Sequence, residues 1–358
     1  MEDKKNLLGL DRAALEQFFS DLGEKPFRAR QLLKWLYQER VADFSLMTDL
    51  SKVLREKLSE VALIEFPEII SDKTSLDGTR KWVFRFNCQN SVEAVFIPED
   101  DRGTLCISSQ AGCALACPFC STGKQGFNRN LTAGEIISQV WLAKELIGCE
   151  RGENKRLITN IVFMGMGEPL LNLNPVISAV NLLLDDFAFG LSRRRITIST
   201  SGIVPAIERL GEFTSVALAI SLHAPNDELR NRLVPINQRY GLEALIKACQ
   251  KYLNYNRQHG GIVFEYVMLK GINDQESHAM ELAHLLKDIE GKINLIPFNP
   301  FPDSEFETTP YEEVLNFQKI LNEMGFITTI RKTRGDDIDG ACGQLVGKIK
   351  NRKLAMNN

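Results

Sequence analysis

The sequence lacks any long hydrophobic run and any excess of basic charge. None of its apolar stretches approaches the roughly 18 residues that a membrane-spanning helix needs, and no signal-peptide core follows the charged residues 1–6. We therefore expect a cytoplasmic protein with no membrane partner. The 43 Lys and Arg residues against 46 Asp and Glu residues give a net charge of −3. That balance excludes nucleic-acid binding through overall charge, although local basic surfaces stay open.

The composition also lacks the bias of a disordered, collagen-like or coiled-coil chain, because 25% of the residues are charged and 8% are aromatic. A length of 358 residues predicts about two domains, or one large barrel with an appendage. Eight cysteines are present. In a reducing compartment, cysteines serve metal or redox chemistry more often than structural disulfides.

Four segments are predicted along the chain. Residues 1–70 carry apolar side chains at helical spacing and predict a small helical domain. Residues 71–98 contain two strand-like runs and predict a β-hairpin that links two domains. Residues 99–337 are predicted to form the core, and residues 338–358 a C-terminal segment.

The predicted core alternates short β-branched runs with amphipathic helices, the pattern of βα units around a parallel sheet. The runs predicted as strands are residues 104–108, 160–164, 195–199, 216–221, 263–268 and 293–296, with a further extended run at 326–330. Helices are predicted to begin at Thr132, Asn174, Pro205, Leu242, Asp274 and Pro310. Six units are too many for a short doubly wound sheet and too few for a closed eightfold barrel. We therefore predict an α/β fold with a partial (β/α)6 TIM-like barrel, in which ligands gather at the C-terminal strand ends.

Three cysteines, Cys113, Cys117 and Cys120, follow the first predicted strand within one loop. Structural zinc takes four ligands, often from two separated pairs, and the sequence has no second CxxC pair and no paired histidines. Three thiolates fit an iron-sulfur cubane with one iron open to a small molecule. The remaining alternatives are space-filling loop cysteines and half of a zinc site completed from elsewhere.

The CxxxCxxC spacing resembles the radical S-adenosylmethionine enzymes, which implies a [4Fe-4S] cluster whose open iron binds S-adenosylmethionine. The glycine-rich segment 165–169, after the second predicted strand, resembles that superfamily's "GGE" element. Further segments are similar to a bacterial family of dual-specificity RNA methyltransferases; they surround Cys106 and Cys342 and include residues 92–95, 117–123 and 126–131. This second resemblance runs essentially from end to end of the chain.

The resemblance implies methylation of carbon 2 of adenosine in 23S rRNA, at the peptidyl transferase centre, and in tRNA, next to the anticodon. It implies two S-adenosylmethionine molecules per turnover, a reducing electron donor such as flavodoxin, and a monomer. Cys342 would carry the methyl group, Cys106 would form a transient disulfide with it, and Glu93 would be the base. S-adenosylmethionine contacts transfer to Gly167, Glu168, Ser199, Ser221, Leu222, His223 and Asn299.

Two alternatives remain open from the sequence. The first is methylation of carbon 8 of the same adenosine, as in an antibiotic-resistance relative. The second is a zinc-stabilised RNA-binding module without catalysis. Contacts to RNA are expected from the helical domain and from basic clusters, namely Arg28, Arg30 and Lys34; Arg193, Arg194 and Arg195; Arg331, Lys332 and Arg334; and Lys348, Lys350, Arg352 and Lys353. Cys88, Cys149 and Cys249 match no motif.

Overall fold

The computed structural model describes residues 4–151, 157–256, 261–302 and 304–346. Its N-terminal module consists of β1 (Lys5–Asn6), α1 (Arg12–Asp21), α2 (Arg28–Leu33), α3 (Lys52–Val61) and β2 (Ala62–Leu63), where β1 and β2 pair in parallel. The side chain of Asp11 caps α1 and that of Ser51 caps α3, each by accepting a backbone N–H of the first turn. The predicted helical character of this region is confirmed.

Three antiparallel strands follow: β3 (Glu68–Thr74), β4 (Arg80–Arg85) and β5 (Ser91–Pro98). The predicted hairpin corresponds to β4 and β5. Strand β5 also pairs with the first barrel strand, so the hairpin extends the barrel sheet instead of standing apart as a linker. Strand β3 was not predicted, because it is an exposed edge strand with a mostly polar sequence.

The core strands are β6 (Gly103–Cys106), β7 (Gln110–Gly112), β8 (Phe127–Asn130), β9 (Asn160–Phe163), β10 (Ile196–Thr200), β11 (Ala217–Ser221), β12 (Ile262–Met268), β13 (Gly291–Pro297) and β14 (Ile327–Ile330). The helices are α4 (Ser121–Gln125), α5 (Ala133–Arg151), α6 (Leu173–Leu184), α7 (Val204–Phe213), α8 (Asp227–Leu233), α9 (Leu242–Asn256), α10 (Glu276–Leu286) and α11 (Tyr311–Glu323). Strands β7 and β8 form a separate hairpin.

The core sheet is parallel and its strands follow one another in chain order, from β6 through β9 and β10 to β14. Such a sheet has no reversal of strand order, which distinguishes it from a doubly wound fold. It remains open, with β14 at one edge and β3 at the other. The predicted partial barrel with six βα units is therefore confirmed, and the extended run after the sixth unit is a seventh parallel strand.

The N-terminal module packs against α5 and α6 of the barrel. Arg12 forms a two-pronged ion pair with Asp185, with distances of 2.7 and 2.6 Å, and the Trp141 indole donates to the carbonyl of Leu36. Gly9 has a φ of +91°, and a side chain there would collide with the backbone of Gly134. The close backbone approach therefore requires glycine. No helix among the described residues is long and apolar enough to cross a membrane.

Candidate active site

A cavity opens at the C-terminal ends of the parallel strands, as predicted. The three motif cysteines Cys113, Cys117 and Cys120 line it. It is also lined by Gly167, Glu168, Ser199, Ser221, His223, Asn299 and Cys342. Residues from five strand ends and from the C-terminus thus share one cavity.

The cysteines lie in the cluster loop, residues 110–130, which is closed by the β7–β8 hairpin. Gly112 has a φ of +78°, and a side chain there would collide with the carbonyl of Gly126. The N–H of Cys120 donates to the carbonyl of Cys117 at 3.1 Å. These local bonds hold the three thiols toward the same cavity.

The donor set fits an iron-sulfur cubane better than a single zinc ion. Among the residues that the structure describes, no three His, Cys, Asp or Glu side chains are placed to hold one metal ion together. In a cubane each thiolate binds a different iron, so its cysteines need not converge on one point. Burial raises the pKa of the Cys113 thiol to about 12, so a cation is needed to hold it as a thiolate at neutral pH.

Gly167 and Glu168 follow β9. The φ of Gly167 is +96°, and a side chain there would collide with Gln110, whose amide oxygen accepts the N–H of Glu168 at 2.8 Å. The Glu168 carboxylate accepts the backbone N–H groups of Ser201 and Leu170, at 2.8 and 3.1 Å. Burial raises the pKa of Glu168 to about 6. Glu168 therefore ties the end of β9 to the end of β10.

The two predicted serines face each other across neighbouring strands. Ser199 on β10 and Ser221 on β11 have hydroxyl oxygens 3.4 Å apart, and both line the cavity. Their hydroxyls can donate to and accept from a polar ligand.

His223 lines the cavity, whereas Leu222 is fully buried and absent from its wall. The Nδ1 atom of His223 accepts the N–H of Val267 at 3.1 Å, and burial lowers the pKa of the ring to about 3. His223 has a φ of +60°, a strained conformation for a residue other than glycine. The ring is thus a fixed, neutral part of the wall, and Leu222 can take part only through its backbone.

Asn299 connects the cavity to the C-terminal segment, of which residues 338–346 are described. Its amide donates to the carbonyl of Cys342 at 3.0 Å and accepts the Thr333 hydroxyl at 3.1 Å. The segment is also anchored to the cluster loop, since the N–H of Ser121 donates to the carbonyl of Gly343 and the Thr122 hydroxyl donates to that of Leu345. Cys342 is therefore held beside the cluster cysteines.

Cys106 lies beside this cavity. It lines an adjoining pocket whose wall it shares with Cys342, Asn299 and Arg331. Burial raises the pKa of Cys106 to about 12, and it also raises the pKa of Cys342, while Arg331 opposes both shifts. The structure thus brings the two predicted redox thiols to one pocket.

Glu93 is on β5 and lies outside both cavity walls. Its carboxylate accepts the N–H of Val346 at 3.2 Å and is 3.6 Å from the Lys81 Nζ, which itself donates to the carbonyl of Asp339. Burial raises the pKa of Glu93, and the charge of Lys81 opposes that rise. Glu93 therefore contacts the C-terminal segment that carries Cys342.

The predicted basic clusters lie in different surroundings. Arg30 and Lys34 are exposed in the N-terminal module, as are Arg193, Arg194 and Arg195 before β10. Arg331 lines the cavity instead of an outer surface. Lys348, Lys350, Arg352 and Lys353 lie outside the described residues, as does the side chain of Cys149.

Several site residues were not found from the sequence. Gln110 holds the Gly167 turn, Arg331 lies beside Cys342, and Arg230 reaches the strand ends through a long side chain. Each acts through contacts between distant elements: Arg331 was predicted only as an RNA contact, and no local pattern marked Gln110 or Arg230. Cys249 is buried outside both pockets, and Cys88 is exposed beside Arg129.

Two family models match the chain. Residues 5–64 match the ribosomal RNA large subunit methyltransferase N-terminal domain, and residues 107–283 match the radical SAM superfamily. The chain is 64% identical over 352 residues to a dual-specificity RNA methyltransferase RlmN of Dichelobacter nodosus, covering 98% of this chain and 97% of the relative. It is 58% identical over 350 residues to the protein of that name in Marinobacter nauticus, covering 98% and 95%.

A solved structure is also similar. The crystal structure of a radical SAM methyltransferase from Sphaerobacter thermophilus matches with a TM-score of 0.88 at 42% identity, covering 95% of this chain and 99% of that one. The similarity therefore spans the N-terminal module, the barrel and the C-terminal segment together.

Proposed function

The chain belongs to the RlmN family of dual-specificity RNA methyltransferases and contains a radical SAM domain, and from that membership we propose that it methylates carbon 2 of adenosine in 23S rRNA and in tRNA. The observation that carries the proposal is the cavity in which the CxxxCxxC cysteines meet Cys342, with Cys106 in the adjoining pocket. This arrangement supports the proposal, because the reaction would need a cluster and two further thiols close together.

Cys113, Cys117 and Cys120 would hold a [4Fe-4S] cluster, and Gly167, Glu168, Ser199, Ser221, His223, Asn299 and the backbone of Leu222 would surround S-adenosylmethionine. When bound, these groups would supply a methyl group and a 5′-deoxyadenosyl radical, with two S-adenosylmethionine molecules used per turnover. The polar wall suits such a ligand, because hydroxyl, amide and backbone groups can bind its ribose, amine and carboxylate.

Cys342 would accept the methyl group on its sulfur. Carbon 2 of adenine is electron-poor, so it does not attack a methyl cation donor directly. Transfer of one hydrogen atom from the S-methyl group to the 5′-deoxyadenosyl radical would leave a carbon radical that can add to carbon 2, and this would join protein and RNA covalently. The bond from the Asn299 amide to the carbonyl of Cys342 supports this role, because it holds the backbone of Cys342 at the cavity.

Two further residues would release the product. A one-electron acceptor, such as the oxidised iron-sulfur cluster, would take one electron from the adduct, and Glu93 would then remove the proton from carbon 2. The Cys106 thiolate then attacks the sulfur of Cys342, the bond between that sulfur and the methylene carbon breaks, and a Cys106–Cys342 disulfide forms. The carbon takes up a proton and becomes the methyl group, and reduction of the disulfide resets the enzyme. Arg331 favours both thiolates in the pocket.

The partners would be the two RNA classes and a reducing electron donor such as flavodoxin, and the enzyme would act as a cytoplasmic monomer. A target base must leave its stack to reach a buried cavity. The exposed basic groups of the N-terminal module, Arg30 and Lys34, lie on a surface able to contact phosphates.

Replacement of Cys342 by Ala tests the proposal. The variant should lose methyl transfer to RNA while its iron and sulfide contents match wild type. Cys249→Ala removes a buried cysteine outside both pockets and serves as the matched control. Retained methyl transfer in Cys342→Ala would contradict the proposal, and product analysis of the modified nucleotide separates carbon 2 from carbon 8.

Replacement of Cys106 by Ala tests the release step. We expect a covalent protein–RNA adduct to accumulate, because no second thiol attacks the Cys342 sulfur. Denaturing gels of protein with labelled RNA measure it. Normal turnover in this variant would contradict the assigned role of Cys106.

Charge reversal in the N-terminal module tests RNA binding. Arg30→Glu and Lys34→Glu together should weaken RNA affinity severalfold without changing iron content or S-adenosylmethionine cleavage. Lys52→Glu, at an exposed position on α3, is the matched control. Unchanged RNA affinity in the double variant would show that this surface of the N-terminal module does not bind RNA.

A further inference from the structure

Arg230, on α8, has no solvent-exposed surface. A charged side chain is costly to bury unless its donors are satisfied. Three carbonyl oxygens and one amide oxygen accept from its guanidinium: Ser201 O at 2.7 Å, Ser221 O at 3.1 Å, Leu222 O at 3.0 Å and Asn237 Oδ1 at 2.8 Å.

All of these acceptors are uncharged. Within the described parts of the chain, no carboxylate forms a hydrogen bond or a salt bridge with Arg230. The acidic residue on the same helix, Asp227, turns its carboxylate to the Asn237 amide and the N–H of Leu242. The guanidinium is therefore hydrogen-bonded only to uncharged groups, while the Asp227 carboxylate acts on it through its charge. Arg331, by contrast, lines the cavity together with the acidic Glu265.

The bonds of Arg230 reach the ends of two barrel strands. Ser221 ends β11, and Ser201 directly follows β10; both line the cavity together with Cys117. Ser201 is held from both sides, because its N–H donates to Glu168 while its carbonyl accepts from Arg230. One side chain thus fixes the backbone on which Ser199, Ser221 and His223 are mounted.

We propose that Arg230 is a positioning residue that fixes the ends of β10 and β11 around S-adenosylmethionine, and that its buried positive charge raises the reduction potential of the cluster held by Cys113, Cys117 and Cys120. The inference rests on the proposed function, since it presupposes that cluster. A positive charge stabilises the reduced cluster more than the oxidised one, because reduction adds one negative charge. In a site shielded from water that interaction is stronger than at a surface.

The charge is present at neutral pH behind the wall of the cavity that the cluster cysteines line. Burial lowers the pKa of Arg230 to about 10, which leaves the guanidinium protonated at pH 7. Two of the carbonyls that accept from it belong to Ser201 and Ser221, which line the same cavity as Cys113, Cys117 and Cys120. The guanidinium therefore contacts one wall of the cavity in which the cluster would be held.

The test compares four variants of the full chain carrying its reconstituted cluster. Arg230→Met and Arg230→Gln remove the charge, Arg230→Lys keeps it but cannot match the planar fork of donors, and Arg232→Met removes an exposed arginine from the same helix as a control. The readouts are the midpoint potential of the cluster and the equilibrium affinity for S-adenosylmethionine, both without RNA.

The two neutral variants should show a more negative midpoint potential and S-adenosylmethionine affinity at least about tenfold weaker, because three backbone carbonyls lose their donor. Arg230→Lys should keep the wild-type potential and lose affinity severalfold. Arg232→Met should match wild type in both measurements.

Neutral variants with the potential and affinity of Arg232→Met would overturn the inference. If neither neutral variant folds, Arg230→Lys decides, and unchanged S-adenosylmethionine affinity there would overturn it. A wild-type protein that binds neither iron-sulfur cluster nor S-adenosylmethionine would instead overturn the proposed function, so the two failures are distinguishable.

Discussion

The cluster loop and the C-terminal segment reach the same cavity by different routes. The cluster loop is organised by its own residues, through the β7–β8 hairpin and the bond between Cys120 and Cys117. The C-terminal segment has bonds of its own but also depends on residues outside it: Asn299, Thr122 and Lys81 each donate to one of its carbonyls. In the proposed function, the cysteines that would hold the cluster are thus fixed by their own loop. Cys342, whose thiol would react with several groups in turn, is held by contacts from several parts of the chain.

The largest loss of activity is expected from a substitution in the cluster loop. Cys117→Ala should abolish the iron-sulfur cluster, and with it methyl transfer, because two thiolates cannot hold a cubane that already lacks a fourth protein ligand. Iron and sulfide analysis of anaerobically purified protein measures this, with Cys88→Ala as the control outside the cavity. Zinc without sulfide in the wild-type protein would favour the zinc-stabilised alternative.

A smaller effect is expected from loosening the C-terminal segment alone. The side chain of Gln344 accepts the N–H of Ala341 and donates to the carbonyl of Pro300 and to Asp336, at 3.1, 2.9 and 2.9 Å. At about 1 kcal/mol for each hydrogen bond, Gln344→Ala should increase local opening of the segment by roughly 100-fold. Hydrogen exchange of residues 335–346 measures the opening.

The cluster content of Gln344→Ala should match wild type, since the cluster loop keeps its own bonds. Gln318→Ala is the control, because Gln318 on α11 donates to the carbonyl of Thr328 on β14, outside the C-terminal segment. Loss of cluster in Gln344→Ala would show that the two regions are not separable.

The difference between the cluster loop and the C-terminal segment also explains which parts of the site could be predicted from the sequence. Cys113, Cys117 and Cys120 lie within eight positions, so their spacing alone indicated a cluster, and the alternation of strands and helices indicated the partial barrel. Glu93, Cys106 and Cys342 were assigned only through resemblance, because their meeting depends on the pairing of β5 with β6 and on the docking of the C-terminal segment. Arg230 and Lys81 look like ordinary surface charges in the sequence, and only tertiary packing buries them.

Lys81 connects Glu93 to the C-terminal segment, because its Nζ lies 3.6 Å from the Glu93 carboxylate and donates to the carbonyl of Asp339. Its charge lowers the pKa of Glu93 against the effect of burial, so Lys81→Met should raise that pKa further. A base must be ionised to act, so the acid limb of the pH dependence of adduct release should move to higher pH in the variant. Single-turnover release measured across pH detects the shift, and Lys73→Met, at an exposed position on β3, is the control. If the pH dependence of release is the same in Lys81→Met and wild type, Glu93 is not the base of the release step.

The smallest expected effect is on stability and concerns Glu168, which joins the end of β9 to the end of β10 in the cavity wall. Its pKa of about 6 in the folded protein exceeds the ordinary 4.5, so it contributes stability that is fully present below pH 4.5 and is lost as the pH rises through 6. The loss amounts to about 2 kcal/mol. Urea denaturation of the cluster-free protein measures this loss. Between pH 4 and pH 7, the free energy of unfolding of wild type should fall by that amount relative to Glu168→Gln. A difference between the two proteins that does not change with pH would contradict the burial of an ionisable group between β9 and β10.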